Sequence, residues 1–140
     1  MSSLLALQGN MPEILALEKI ILTLEQVECP ISHYQIEGVY CRSMFIPAGT
    51  VITGAIHNKE NISILAQGTI RVTNGTDSKL ISAPYIMVDQ PGIKRLGVSE
   101  TDVTFINIWR TDTTDLDEIE KEIRSDTFEE YEQKLLGALE

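Results

Sequence analysis

The chain has 140 residues, 43% of them apolar, with 11 Lys and Arg against 21 Asp and Glu for a net charge of −10. That length and apolar fraction support one domain, or one domain with a helical tail, and exclude a disordered chain. The acidic balance repels phosphate backbones and anionic bilayers, so nucleic acid and membranes are not expected partners. No apolar run reaches the ~18–20 residues of a membrane span, and residues 1–10 offer no basic start and no clear cleavage site, so a cytoplasmic protein is expected. Cys29 and Cys41 alone make neither a disulfide framework nor a four-thiolate zinc site.

The first predicted element is a helix over residues 11–28. Asn10 is placed to cap it, and Pro12 falls in its first turn, where a missing N–H costs little. Ile14, Leu17, Ile21 and Leu24 form one stripe, widened by Leu15, Ile20 and Leu22, so the helix is expected to pack on the body or on a second copy. The segment to residue 37, with His33, reads as a linker, and surface or capping use is expected of that histidine.

Short β-branched runs follow, over 39–46, 51–57, 62–66, 69–73, 79–82, 85–88, 95–98 and 103–109. Turn residues separate them: Pro47-Ala48-Gly49, Gln67-Gly68, Asn74-Gly75, Ala83-Pro84, Pro91-Gly92 and Ser99-Glu100. Asn74-Gly75 is the strongest hairpin signal, because a type I′ turn needs positive φ twice. This spacing predicts a sandwich or barrel rather than a parallel α/β sheet. Cys41, alternating with Val39 and Ser43, reads as a small buried hydrophobe. Trp109 continues the face of Val103, Phe105 and Asn107 and reads as a core plug or rim residue.

The last zone holds most of the charge, 11 acids and 3 bases in residues 112–140. Thr114 or Asp115 is placed to cap a helix carrying Leu116, Ile119 and Ile123. Thr127 and Glu130 form a capping-box pattern ahead of Phe128, Tyr131, Leu135 and Leu139, with a break near Ser125-Asp126. The expected organisation is a helix and linker (1–37), an all-β barrel (38–111), and an acidic helical tail (112–140) that packs on the barrel or a partner subunit.

Residues 47–72 and 88–98 together resemble the cupin superfamily. The first stretch has a Pro-x-Gly turn, a strand ending at His57, and a strand ending at Gly68. The second has Pro91-Gly92 and then a strand. The resemblance implies a cupin-like jelly-roll barrel. Around Gly54-Ala55-Ile56-His57 and Pro91-Gly92-Ile93-Lys94-Arg95 the wording also resembles small cupin-like proteins of tailed bacteriophages, which implies a host-cytoplasmic or virion location. Metal-bearing cupins use a His-x-His pair and a Glu from the first motif and a His from the second. Those positions here are Ala55, His57, Asn61 (with Glu60 one residue early) and Arg95, so one ligand of four is kept. With only His33 and His57 in the chain, a three-histidine site within one subunit is excluded. No metal and no other cofactor is expected.

A small polar cavity lined by His57 and Arg95, with Lys94, Glu60 and Asn61 as further ligand-binding candidates, is expected to suit a small anion or a sugar hydroxyl. The bland alternative makes His57 a hydrogen-bonded relic and pairs Arg95 with Glu60 or Glu100. Strand alternation places Val51, Thr53, Ala55 and His57 inside and Ile52, Gly54 and Ile56 outside, with Ile62, Ile64 and Ala66 outside on the next strand. An apolar outer face of Ile52, Ile56, Ile62 and Ile64 needs cover, so a homo-oligomer formed through it and the terminal helices is expected. Two functions follow, beside a third reading as a divergent metal enzyme of the dioxygenase type, which would need His33 to reach the barrel beside His57 and a carboxylate. One is a metal-free oligomeric binding or assembly protein, in a phage an accessory or virion component. The other is a metal-independent isomerase, epimerase or lyase using His57 as its acid–base group and Tyr85 as a proton donor.

Overall fold

The computed structural model describes residues 13–73 and 77–139. Helix α1 covers 13–22. Ten strands follow: β1 (Ile31–Ile36), β2 (Val39–Ile46), β3 (Val51–Thr53), β4 (Ile56–His57), β5 (Asn61–Gln67), β6 (Thr69–Thr73), β7 (Ser78–Ser82), β8 (Tyr85–Asp89), β9 (Leu96–Ser99) and β10 (Val103–Arg110). The tail is α2 (Leu116–Ile123), β11 (Arg124–Ser125) and α3 (Phe128–Leu139). Asn10, Pro12 and the Asn74-Gly75 turn lie outside the described residues, although β6 and β7 pair antiparallel on either side of that turn.

The strands form a five-stranded sheet in the order β1-β2-β10-β5-β8 and a four-stranded sheet in the order β3-β9-β6-β7. The two sheets face each other across Ile46, Leu65 and Val103 from the first and Ile70 and Ile81 from the second. The alternation of the sequence explains this core, since β2, β5 and β10 each present every second residue inward. Gly68 alone links β5 in one sheet to β6 in the other. Its φ of +90° and the carbonyl of Asp102, which stands where a Cβ would be, leave room only for glycine.

Helix α1 is shorter than the stripe predicts. The Thr23 hydroxyl takes the Ile20 carbonyl, and the Gln26 amide takes those of Ile21 and Leu24, so the last turn closes early. Its first turn docks, with Ile14 buried, while Ile20, Leu22 and Leu24 stay exposed. The expected linker contains β1. His33 belongs to that strand, and its Nδ1 lies 2.7 Å from the Tyr40 hydroxyl. Its alternation was hidden because all six residues of β1 are exposed, as befits an edge strand.

The tail folds onto the barrel. Asp115 caps α2 by accepting from Asp117 N, and Ile119 and Ile123 pack against Tyr40 and Trp109. The break at Arg124–Ser125 is a strand paired with β4, which buries Ile56 completely. Thr127 caps α3 through Glu130 N, and the Glu130 carboxylate reaches back to Asp126 N. No helix among the described residues is long and apolar enough to cross a membrane.

Alternation across residues 51–57 differs from the expected one. Val51 is exposed, and Ile52 packs into the core and lines the barrel cavity. The strand is interrupted at Gly54 and Ala55, so the two halves need not share one parity. Cys41 is half-buried on the outer face rather than in the core.

Candidate functional site

The Pro91-Gly92 turn positions His57. Gly92 N donates to the His57 carbonyl at 2.7 Å, His57 N donates to Ile93 O at 3.0 Å, and Gly54 N donates to Arg95 O at 3.0 Å. Backbone bonds therefore lay residues 54–57 beside residues 92–95, and both His57 and Arg95 line one cavity of about 220 Å³ inside the barrel. Arg42 and Asn107 from the five-stranded sheet, Trp109 below them, and Ile123 and Arg124 from the tail complete that end.

Behind the wall lies a hydrogen-bond network. His57 Nδ1 donates to Asn61 Oδ1 at 2.8 Å and stands 3.9 Å from Asp89 Oδ2. Asn61 Nδ2 and Asn107 Nδ2 both donate to Ser63 Oγ, at 3.3 and 2.7 Å. Ser63 Oγ donates to Asp89 Oδ2, and Arg95 Nη2 donates to Asp89 Oδ1. Asp89 is 0% exposed. Burial alone would raise its pKa, but the Arg95 guanidinium and the Ser63 hydroxyl together hold the carboxyl below its ordinary range. Burial pushes the His57 imidazole down, aided by Arg95 and Arg42 and opposed by Asp89 and Asn61. His57 is accordingly neutral at pH 7, with its proton on Nδ1 and Nε2 free to act as acceptor or base.

Arg42 stands 5.2 Å above the Trp109 ring and pairs with Glu120 at 3.2 Å. Arg124 pairs with the same Glu120 and with Asp126. Trp109 is 2% exposed, stacks on Tyr40, and meets the edge of His57. Its Nε1–H is buried with no acceptor among the described residues, and a buried donor left unpaired costs ~1–3 kcal/mol.

Several expected site residues stand elsewhere. Lys94 is 2% exposed but faces away from the cavity, donating to Glu18 at 2.9 Å and to the Gly54 carbonyl at 2.8 Å, so it anchors α1. The neighbouring Arg95 takes the inward position. Glu60 is exposed and does not line the cavity. Asn61 is buried behind His57 and sets its tautomer. Tyr85 also stands outside the cavity lining, with its hydroxyl accepting from Lys79 at 2.8 Å. Arg95 pairs with Asp89 instead of Glu60 or Glu100.

Sequence reasoning missed Asp89, Ser63, Asn107, Arg42 and Arg124. One signal for Asp89 was available: it ends an inward-alternating strand just before the Pro91-Gly92 turn. The thiols of Cys29 and Cys41 are pushed up by burial, away from nucleophilic character. A second, more open groove of about 660 Å³ runs beside α2 and α3. Its lysines are engaged, Lys59 with Glu122, Lys121 with Glu118, and Lys134 with Glu130.

The donors do not fit the metal that the sequence resemblance raises. Of the four ligand positions only His57 is a metal-binding type, and the guanidinium of Arg95 already occupies Asp89. No group of three His, Cys, Asp or Glu side chains gathers among the described residues.

No family model and no curated protein matches the sequence. Solved structures do match the fold. A cupin-family protein with a double-stranded β-helix from Methanocaldococcus jannaschii is 14% identical, with 64% of this chain and 93% of that one covered and a TM-score of 0.51. A cupin superfamily protein from Desulfitobacterium hafniense is 11% identical over 64% and 84%, with a TM-score of 0.50. A putative ethanolamine utilization protein from Salmonella typhimurium is 12% identical over 61% and 71%, with a TM-score of 0.51. With the facing sheets and the Gly68 corner, these likenesses show that the chain has the double-stranded β-helix fold of the cupin superfamily.

Proposed function

We propose that this chain is a metal-free, oligomeric binding protein whose barrel accepts a small anionic ligand. One observation carries the reading. In a chain of net charge −10, the cavity wall among the described residues holds Arg42, Arg95, Arg124 and His57 and no Asp or Glu. The carboxylates of Asp89, Glu120 and Asp126 stand behind the arginines and orient them.

The outer face of the five-stranded sheet supports the oligomer. Register aligns Ile86, Ile64 and Ile106 in one row and Val88, Ile62 and Ile108 in the next. Ile62, Ile86 and Val88 are exposed. A second copy is the occupant that matches this face, because a contiguous apolar patch is complementary to itself across a two-fold axis. Ile52 and Ile56 drop out of the expected interface, since the core and β11 cover them. The phage resemblance adds a role as an accessory or virion-associated component. Sedimentation velocity and elemental analysis test the reading. A dimer or larger species with less than about a tenth of an equivalent of transition metal is expected. A monomer, or a stoichiometric metal, overturns it.

A second reading has one observation in its favour. Asn61 fixes the Nδ1–H tautomer of His57 and leaves Nε2 as a neutral base on a wall that also carries arginines. In that reading the protein isomerises or cleaves a small anion. Loss of turnover in His57→Gln, with binding retained, is the expected result.

A further inference from the structure

The cavity has two chemically different ends. Along β2 the inward residues run Tyr40, Arg42, Met44, Ile46, and along β10 they run Trp109, Asn107, Phe105, Val103. One end is therefore cationic and hydrogen-bonding, and the other is apolar, closed by Ile52, Ile70 and Val72. Arg42, Arg95 and Arg124 already share their charge with Glu120, Asp89 and Asp126. The residual field suits one negative charge rather than two. The Trp109 ring lines the same cavity, and its Nε1–H, sealed from solvent, has no acceptor among the described residues. About 220 Å³ is the liquid volume of roughly seven waters at ~30 Å³ each, which limits the ligand to a small molecule.

Resting on the binding reading above, we infer that the ligand is a small monocarboxylate with an apolar body. The carboxylate lies against Arg42 and Arg95, beside the Trp109 ring. The body extends toward Met44 and Phe105. A bare inorganic anion leaves the apolar end unfilled, and a neutral alcohol leaves the arginines without their partner.

Trp109 is the single tryptophan of the chain, so the indole N–H gives one side-chain resonance in a 15N-labelled sample. Titration with hexanoate, hexan-1-ol, acetate and inorganic phosphate, followed at that resonance and by calorimetry, tests the inference. Hexanoate is expected to shift the indole signal saturably and to bind about tenfold or more tightly than each of the other three, the size of one charge-assisted hydrogen bond. Arg42→Gln is expected to weaken hexanoate about tenfold by calorimetry. If Arg42→Gln fails to fold, hexanoate against hexan-1-ol in the wild-type protein carries the comparison. An indole signal unmoved by hexanoate, equal affinity for hexan-1-ol or phosphate, or unchanged binding in Arg42→Gln overturns the inference. Equal binding of hexan-1-ol removes the carboxylate but leaves a binding protein. A monomer or a stoichiometric metal removes the oligomeric or metal-free part of the reading above whatever hexanoate does.

Discussion

Arg95 and Asp89 stand six residues apart, on either side of the Pro91-Gly92 turn, and the guanidinium of the first closes on Oδ1 of the second inside the barrel. Asp89 has no solvent contact, whereas Arg95 is 22% exposed and reaches the cavity. The pair therefore joins the buried network to the ligand surface. Removing one partner strands the other charge. Asp89→Asn is expected to cost ~3 kcal/mol in urea unfolding at pH 7, and the double variant Asp89→Leu, Arg95→Met distinctly less than the sum of its single changes. An Asp89→Asn protein within ~0.5 kcal/mol of wild type would remove the network from the account.

Acid affects the two titrating groups in different ranges. The folded pKa of His57 is depressed, so the unfolded chain takes up a proton first. The contribution of neutral His57 is fully present above the unfolded value of ~6.5 and is lost as pH falls toward the folded value. Asp89 is likewise depressed, and its contribution is lost only below about pH 4. Urea midpoints should decline from pH 7 to pH 5 in wild type and decline less in His57→Gln. Parallel curves would show that His57 is not the group responsible.

Ile119 and Ile123 are each 1% exposed, and they hold the tail against Tyr40 and Trp109. Ile123→Ala is expected to cost ~2–4 kcal/mol and to shift Trp109 fluorescence to the red as water reaches the ring. An unchanged emission maximum would mean that the tail does not shield the tryptophan.

On the outer sheet, Ile86 is 69% exposed and touches little of its own barrel. Ile86→Lys should leave the circular dichroism of the folded chain unchanged while dissociating the oligomer in sedimentation velocity. An oligomer unchanged in mass would move the interface to another face.

Gly68 stands at the corner between the two sheets with a φ that side chains avoid and a carbonyl where a Cβ would sit. Gly68→Ala should cost more than ~2 kcal/mol. A smaller loss would mean that the corner relaxes.

Apart from β1 and the interruption at Gly54 and Ala55, the strands of the barrel were readable from the chain to within a residue or so, as were the helix break near residue 125 and the Asp115 and Thr127 caps, because alternation, turn residues and capping patterns act within a few residues of themselves. The inward direction of His57 and Arg95 was readable too, through the resemblance of the two turn-and-strand stretches. Lys94, Glu60 and Tyr85 were misjudged, and Asp89, Arg42 and Arg124 were overlooked, for one physical reason. Which charge meets which is set by pairings between strands and helices far apart in sequence, such as Arg42 with Glu120. The interruption at Gly54 and Ala55 also changed the parity of Ile52, which a period-2 pattern assumes away. The amino-acid order determined a β-cage short of metal ligands and flanked by amphipathic helices. Only the folded chain decided that three arginines face its interior with their carboxylates behind them, because that arrangement depends on long-range register.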